Sequence, residues 1–521
     1  MNDFICISAA AAAAFHAAVA LKFQLQMLQQ NSYRPSRYGR WLKGGLWSGA
    51  WCFWAVLTLL CFLLVGRVWL CAAAGVLAVG CAVRELRRKY KKPLVFTARA
   101  RRIYAVAAVL SAAAIAAAGA AGGVRWCLPA AMAAAVCAPL SVTAAVVLLS
   151  PVERAINRWY YNDARRILES MPGLKVIGIT GSYGKTSTKH YLYRILSEKY
   201  NVLMTPGSYN TTLGVIRTVR EQLRPYHEVF LVEMGAKQRG DIREICELVH
   251  PTIGIVTSVG EQHLESFGSI ENVQATKFEL VDALPADGTA VLNDDFEYVA
   301  SRRVENVRRV FRYTHGERGR DFSFEVKSYS AAETLFEVKG PQGEVQPLAT
   351  SIVGSYNLSN IVVGYIVARE LGVDAAAIRY AVGNIEQVEH RLNMKRTAGG
   401  VTVIDDAFNS NPHGAQMALE VLSGMKGGRR VVVTPGMIEL GRRQEHHNRE
   451  LGRRMASSCD WAVVVGEYNR AAIVEGLREG GFDEERIYLA PTFADATARL
   501  ATLLAAGDTV LYENDLPDTF K

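Results

Sequence analysis

The sequence predicts an α-helical membrane region followed by an α/β region with two parallel sheets, and three observations lead there. From residue 4 to residue 150 Ala, Leu, Val, Trp and Cys dominate, whereas from 151 onward the composition is that of a water-soluble α/β chain. In that second part, apolar strand-like runs alternate with helical segments in two separate series. The first series opens on "VIGITGSYGKTSTKHYLYRIL", Val176 to Leu196, which reads as a strand, a glycine-bearing loop and a helix. At 521 residues the chain has the length of roughly three domains. These fall at 1–150, 173–385 and 386–521, with a connecting helix at 151–172.

Five apolar stretches approach the roughly 20 residues that a membrane helix needs: about 4 to 21, 46 to 66, 68 to 83, 103 to 124 and 126 to 150. Asp3 stands where a cleaved leader carries positive charge, and no small-residue cleavage site follows, so the first stretch reads as a span. Lys and Arg near span ends favour the cytoplasmic side. Lys22, Arg34, Arg37, Arg40 and Lys43 fill the segment after the first span, and "RELRRKYKKPLVFTARARR" sets nine basic residues against Glu85 after the third. The other two turns hold only Arg67 and Arg125. The pattern puts the amino terminus outside and residues 151–521 in the cytoplasm, as in a multi-pass protein of the cytoplasmic membrane.

Those two loops hold 14 basic residues and one acid, so they account for the net charge of +9. The surplus is topological, and it attracts anionic head groups of the lipid bilayer. No second feature points to nucleic acid. Seven of the nine cysteines lie in the hydrophobic region, without zinc or disulfide spacing. They read as small apolar packing residues.

Residues from about 151 to 172 have helical spacing, and the stretch "PVERAINRWYYNDARRILESMPG" ends in Pro172-Gly173. After them "KVIGIT", "EVFLVEMG", "TIGIVTSV" and "TAVLND" are strands separated by helices, the pattern of a parallel sheet covered on both faces. Residues 308 to 353 are β-rich, with "FSFEVKSYS" and "ETLFEVKG" as hairpin strands on the same domain. A second alternation starts near 385: "GVTVIDDA", "RVVVTPG", "DWAVVVGE", "RIYLAP" and "TVLYEND", with a helix from Gly414 to Leu422. That is the size of a small doubly wound, Rossmann-like domain.

In "TGSYGKTST", Gly181 and Gly184 let backbone amides curl around a phosphate, with Ser182 and Ser187 flanking them. Lys185 supplies a point charge and Thr186 a hydroxyl for Mg2+. The helix that follows aims its positive end at the same anion. The loop therefore reads as an ATP phosphate site, a P-loop of shortened spacing: GxxGKT, with Ile179 in the place of the earlier glycine. As a bare motif it competes with an ordinary strand-to-helix turn.

The shorter loop is the form used by the Mur ligase family, and further matches follow in that family's order. "FLVEMGAKQRGDI" resembles its strand-end glutamate motif, which implies that Glu233 binds Mg2+. "GSYNTTLGV" resembles its asparagine loop and implies Asn210 near the substrate or phosphates, although Thr211, Thr212 and Ile216 depart from the usual residues. "TSVGEQHLESFGSIENVQATKFEL" resembles the stretch in which a histidine precedes LexFG and a lysine follows fourteen residues later. The resemblance implies His263 at the metal and Lys277 as a carbamylated lysine that supports it. "VLNDDFEYV" and "GSYNLSN" imply Asn293, Asn357 and Asn360 around adenine, with Tyr356 where a histidine is common. "VEHRLN" implies Arg391 as a phosphate-facing arginine after the hinge, and "IDDAFNSNP" gives Asp406 a ribose or hinge-side role. Taken singly, such Asn and Asp residues are turn or cap residues.

The resemblance covers roughly residues 173 to 515. Within the family, "DDAFNSNP" and "GMIELGRRQEHHNRELG" are most similar to the member that adds D-alanyl-D-alanine to the UDP-N-acetylmuramoyl tripeptide. It implies an ATP-dependent amide ligase of peptidoglycan synthesis, acting on a peptide-bearing cell-wall precursor and an amino acid or dipeptide. Two departures bear on substrate recognition: apolar spans replace the family's uridine-sugar domain, and "YENDLPDTF" replaces its basic terminal motif. A Mur-like ligase of poly-γ-glutamate type, acting on a lipid-linked or polymeric acceptor, is the related alternative. A transporter ATPase or membrane switch is the rival of a different class, but the strand ends in "VEMG" rather than Asp-Glu and no LSGGQ-like signature is present.

Overall fold

The computed structural model describes residues 2–31, 33–45, 49–65, 67–90, 92–262, 264–316, 319–329, 333–352, 354–387, 392–407, 410–425 and 427–515. Two compact units divide the chain, one up to Trp159 and one from Tyr160.

The first unit is helical: α1 (Asn2–Gln30), α2 (Pro35–Gly45), α3 (Gly49–Leu63), α4 (Val68–Arg87), α5 (Ala98–Gly122), α6 (Cys127–Val136) and α7 (Ala138–Glu169). Small residues let α1 and α4 approach closely, as membrane helices do. Ala9, Ala13 and Ala17 are buried on one, and Cys71, Ala74, Ala78 and Ala82 on the other. A Cβ on Gly75 would lie 3.1 Å from the Cα of Ala9. The two helices run parallel, since Cys6 meets Cys71 while Gln26 and Gln30 donate to the carbonyl of Lys92. The chain between them must return, and α3 makes that return. Arg102 donates to Glu153 on α7 at 2.7 Å and Gln26 reaches the segment at Lys92, so both basic loops lie at one end of this unit.

Among the described residues four helices are long and apolar enough to cross a membrane: Phe4–Gln30, Val68–Arg87, Ala98–Gly122 and Ala138–Glu169. The sequence reading of five spans differs at two points. The stretch 46 to 66 gives only the 15-residue α3, with residues 46–48 outside the described ones. The stretch 126 to 150 splits into α6 and α7, and α7 runs without a break through Pro151 into the expected connecting helix.

In the second unit one sheet holds β1 (Lys175–Thr180), β2 (Val202–Met204), β3 (Val229–Glu233), β4 (Ile253–Val256), β5 (Thr289–Asn293), β6 (Arg309–His315), β7 (Phe322–Tyr329), β8 (Thr334–Lys339) and β9 (Val345–Thr350). Its order is β2-β3-β1-β4-β5-β6-β7-β8-β9. The strands are parallel as far as β7, and β7, β8 and β9 form an antiparallel meander where the hairpins are expected. Side chains of β1 alternate between two cores: Ile177 and Ile179 pack under α8 (Lys185–Leu196) and the helix Ser355–Glu370, which is buried from Asn357 to Ala368, and Val176 packs on the opposite face.

The other sheet holds β10 (Asn393–Arg396), β11 (Thr402–Asp406), β12 (Arg430–Thr434), β13 (Trp461–Val465), β14 (Ile487–Ala490) and β15 (Thr509–Glu513), in the order β10-β11-β15-β12-β13-β14. All pairs but β10–β11 are parallel. The short strands β2 and β10 have too few residues to show a period, and the sequence reading does not include them.

Candidate active site

The C-terminal ends of β1, β3 and β4 meet at one edge, where parallel sheets leave backbone amides and side chains free for ligands. At the end of β1, Gly181 has φ 154° and Gly184 φ 79°. A Cβ on Gly181 would sit 2.0 Å from Thr257 Oγ1, and one on Gly184 2.6 Å from Asn360 Oδ1. Only glycine fits this cradle. Ser182 is tied to the neighbouring loop, its amide donating to Ser258 and its hydroxyl to Gly260, and Ser187 lies buried within hydrogen-bond reach of Tyr191.

Lys185 Nζ donates to the loop carbonyls of Gly181 at 2.6 Å and Ser182 at 3.2 Å. Thr186 Oγ1 donates to the Glu233 carboxylate at 3.1–3.2 Å, and Asn210 Nδ2 donates to it at 3.2 Å. Lys189, one turn beyond Lys185 on α8, completes this cluster. Its Nζ lies 3.0 Å from Glu233 Oε2 and 2.5 Å from the Gly207 carbonyl, with both charged residues buried. Burial opposes ionisation of Glu233, but Lys189, Lys185 and the hydrogen bonds from Lys189 and Asn210 outweigh it and hold the carboxyl below its usual range.

Lys277, on the helix Ile270–Asp282, is 2% exposed. Burial pushes its amine well below the lysine range and the charge of Lys185 adds to this, against a pull from Asp241 and Glu279. It is therefore held as a neutral, nucleophilic amine far more than an exposed lysine is. His263 and Arg391 lie outside the described residues.

Beside the loop is a cavity of about 200 Å3 lined by Asn293, Asp295, Phe296, Tyr356 and Ser359 from the first sheet's elements and by His413 and Met417 from the helix Pro412–Ser423. Asn293 Nδ2 donates to Ser359 Oγ at 3.1 Å. The rings of Phe296 and Tyr356 lie 5.5 and 5.6 Å from His413. Such a polar-edged aromatic slot suits a flat base. Asn357 is buried on the same helix as Ser359, and Asn360 lies under the phosphate loop, its Oδ1 accepting from Thr188 and its buried Nδ2 without a partner among the described residues. Asp406 ends β11, and its Oδ1 accepts from the amide of Leu392, the first described residue after the hinge segment.

Three side chains of this region carry no local signal in the sequence: His413, Glu261 and Glu513. Glu261 accepts from Arg443 and lies 2.5 Å from His447 Nε2, and Lys237 reaches Glu439 at 3.4 Å. Lys189 does have a signal, the i, i+4 spacing from Lys185 that puts both on one helix face.

The residues fit a nucleoside triphosphate with a divalent cation: a backbone cradle closed to any Cβ, a lysine folded over it, and a hydroxyl already aimed at a buried carboxylate. Among the described residues no group of three or more His, Cys, Asp or Glu forms a metal cluster by itself. The oxygen set is instead Thr186 and Glu233.

Two family models match this unit, Mur ligase middle domain over residues 179–368 and Mur ligase, glutamate ligase domain over residues 390–512. The chain is 33% identical over 359 residues to the UDP-N-acetylmuramoyl-tripeptide–D-alanyl-D-alanine ligase of Mycobacterium tuberculosis strain H37Rv, covering 65% of this chain and 70% of that one. It is 29% identical over 336 residues to the ligase of the same name from Escherichia coli K12, covering 64% and 74%. The structure of MurF from Thermotoga maritima in complex with ADP superposes with a TM-score of 0.61 at 28% identity, over 69% of this chain and 80% of that one. MurF from Acinetobacter baumannii gives 0.61 at 27% identity, over 68% and 77%.

Proposed function

Because the chain belongs to the Mur ligase family, whose members are ATP-dependent, ADP-forming ligases, we propose that it joins an amine such as D-alanyl-D-alanine to the peptide carboxylate of a cell-wall precursor. We place the reaction at the cytoplasmic face of a membrane, with the amino terminus outside, the spans within 1–150 and the two ligase domains at 173–385 and 386–521. The observation that carries the reaction is the Thr186–Glu233–Lys189 cluster at the glycine loop, with the Asn293 slot beside that loop and the buried Lys277 amine in the field of Lys185. The membrane placement is supported by the four long apolar helices and by the meeting of both basic loops at one end of the first unit.

The substrate carboxylate attacks the γ-phosphorus of ATP, a C–O–P bond forms, the bond to ADP breaks, and an acyl phosphate results. The amine then attacks the acyl carbon, loses a proton, and phosphate leaves. A Mg2+ ion bound here neutralises charge on the transferring group. The amides of Gly184 to Thr186 donate to the phosphates, and Lys185 exchanges the carbonyls of Gly181 and Ser182 for phosphate oxygens. Thr186 and Glu233, with His263 and a carbamate on Lys277, would hold the metal, and Asn210 orients Glu233. Asn293, Asn357 and Asn360 serve the nucleotide, Asp406 anchors the hinge side through Leu392, and Arg391 meets the phosphates as the last domain closes. The work is positioning and charge stabilisation.

Phosphate release by the purified protein, given ATP and D-alanyl-D-alanine with either the UDP-muramoyl tripeptide or its lipid-linked counterpart, tests the reading. Release with at least one acceptor, lost in Lys185→Ala, is expected. Release with neither overturns the peptidoglycan assignment.

A further inference from the structure

The first unit contains a groove of about 1120 Å3, beyond the roughly 300–1,000 Å3 of a compact ligand site. Its wall is aromatic, with Trp41 on α2 and Trp51 and Trp54 on α3, and one end is set with Arg84, Arg87 and Arg88 from the last turn of α4 and the residue after it. The acid lining this end, Glu85, accepts from the hydroxyl of Tyr90, and the carbonyl oxygen of the Gln24 side chain accepts from Tyr38 at 2.6 Å. Glu85 offsets one of the three arginine charges, which leaves a net of two positive charges at this end of the groove.

Topology explains arginines on the cytoplasmic side and interfacial belts explain single tryptophans, but neither calls for one concave groove that gathers Trp41, Trp51 and Trp54 with the arginines. An apolar, aromatic-walled groove lined at one end by three arginines complements an amphiphile: a hydrocarbon chain joined to a phosphate head, which arginine forks grip in bidentate fashion. A net of two positive charges exceeds that of one phosphodiester and matches a diphosphate joined at both ends. The relatives act on an acceptor whose sugar hangs on the diphosphate of UDP, according to their names. Exchanging uridine for a hydrocarbon chain keeps that sugar–diphosphate linkage and gives a molecule with the two ends of this groove.

We propose that this groove binds a long-chain lipid diphosphate, the carrier of the acceptor peptide. The inference rests on the ligase reading and the membrane placement above.

The test uses the full-length protein in phosphatidylcholine nanodiscs and a photoreactive polyprenyl diphosphate without sugar, with adducts mapped by mass spectrometry. Adducts concentrated in 41–54 and 80–88 are expected, competed by unlabelled polyprenyl diphosphate and not by a tenfold excess of phosphatidylglycerol or inorganic diphosphate. Joint replacement of Arg84, Arg87 and Arg88 by Gln lowers labelling at least fivefold, and replacement by Lys retains about half, with circular dichroism verifying the fold of each. Adducts scattered over all the helices, or equal competition by phosphatidylglycerol, identify an ordinary bilayer lipid and overturn the proposal. Equal competition by inorganic diphosphate identifies a free-phosphate site and overturns it too, as does undiminished labelling of the Gln variant. The labelling needs neither ATP nor amine. A protein that labels as expected but releases no phosphate sinks the ligase reading alone, and one that ligates the UDP-linked acceptor without labelling sinks this inference alone.

Discussion

Replacing Lys189 with Met tests whether the Lys189–Glu233 pair organises the catalytic edge of the first sheet. The substitution keeps the length of the side chain and removes the ammonium that lies 3.0 Å from Glu233 Oε2 and 2.5 Å from the Gly207 carbonyl. Removing one partner of a buried pair costs about 3–5 kcal/mol, because the remaining charge stays desolvated. Here the lower end applies. Glu233 keeps two donors, Thr186 and Asn210, and the field of Lys185. A loss of about 3 kcal/mol corresponds to roughly 100-fold faster exchange of the amides that open with β1, β3 and α8.

Hydrogen exchange read by mass spectrometry localises that effect in a chain of several domains, where a single melting temperature does not. Glu233→Gln strands the opposite charge and carries a similar cost. The double variant removes both charges, so its loss is smaller than the sum of the two by about 1–3 kcal/mol. Additive losses refute the reasoning, as does a Lys189→Met protein whose exchange at these strands stays within threefold of the unaltered one.

Three further outcomes follow from the same geometry. Lys277→Ala lowers kcat by about 100-fold, and in buffers stripped of carbon dioxide the unaltered protein loses activity that bicarbonate restores, whereas Lys277→Ala ignores bicarbonate; a 13C carbamate signal at this position checks the cause. Glu513, buried at the end of β15, is pushed well above the carboxylate range by burial and by the charge of Asp406, against a hydrogen bond from Ser410. A raised folded value means that the native state holds the extra proton, so stability falls as pH rises above about 4.3, by up to about 1.4 kcal/mol per unit, until the folded value is passed; Glu513→Gln makes denaturant titrations shallower in pH by that slope. Glu261→Ala removes the acceptor shared by Arg443 and His447 and lowers kcat/KM about fivefold, a modest figure because Arg443 is largely exposed.

The strand-loop-helix at 175–196 was legible because each of its parts is local: a short apolar run, two glycines at fixed spacing, and a helix with one apolar face. The same holds for most strands of both sheets. What closes the site is non-local and left no mark in the sequence. His413 joins Phe296 and Tyr356 across more than fifty residues, and Glu261 finds Arg443 across 182. Spacing within a segment carries no information on which segments meet at a sheet edge. Lys189 is different: its i, i+4 relation to Lys185 was visible, and only the partner, at the end of another strand, was not.

The hydrophobic region teaches the complementary lesson. Composition located the apolar segments, but composition is blind to where a helix stops when the residues on either side of a boundary both favour helix. Pro151 marks an end in a soluble chain, because it removes an amide donor and clashes with the preceding turn. In α7 it lies inside a continuous helix of 32 residues, of which the first half is apolar and the second half polar. Neighbouring polar groups and packing satisfy a freed carbonyl at little cost in such surroundings. One helix therefore replaces the expected span and connector. The parallel course of α1 and α4, in turn, required a return path, which among the described residues the short α3 supplies, so pairing of small residues brings a helix shorter than a typical span into the path of the chain.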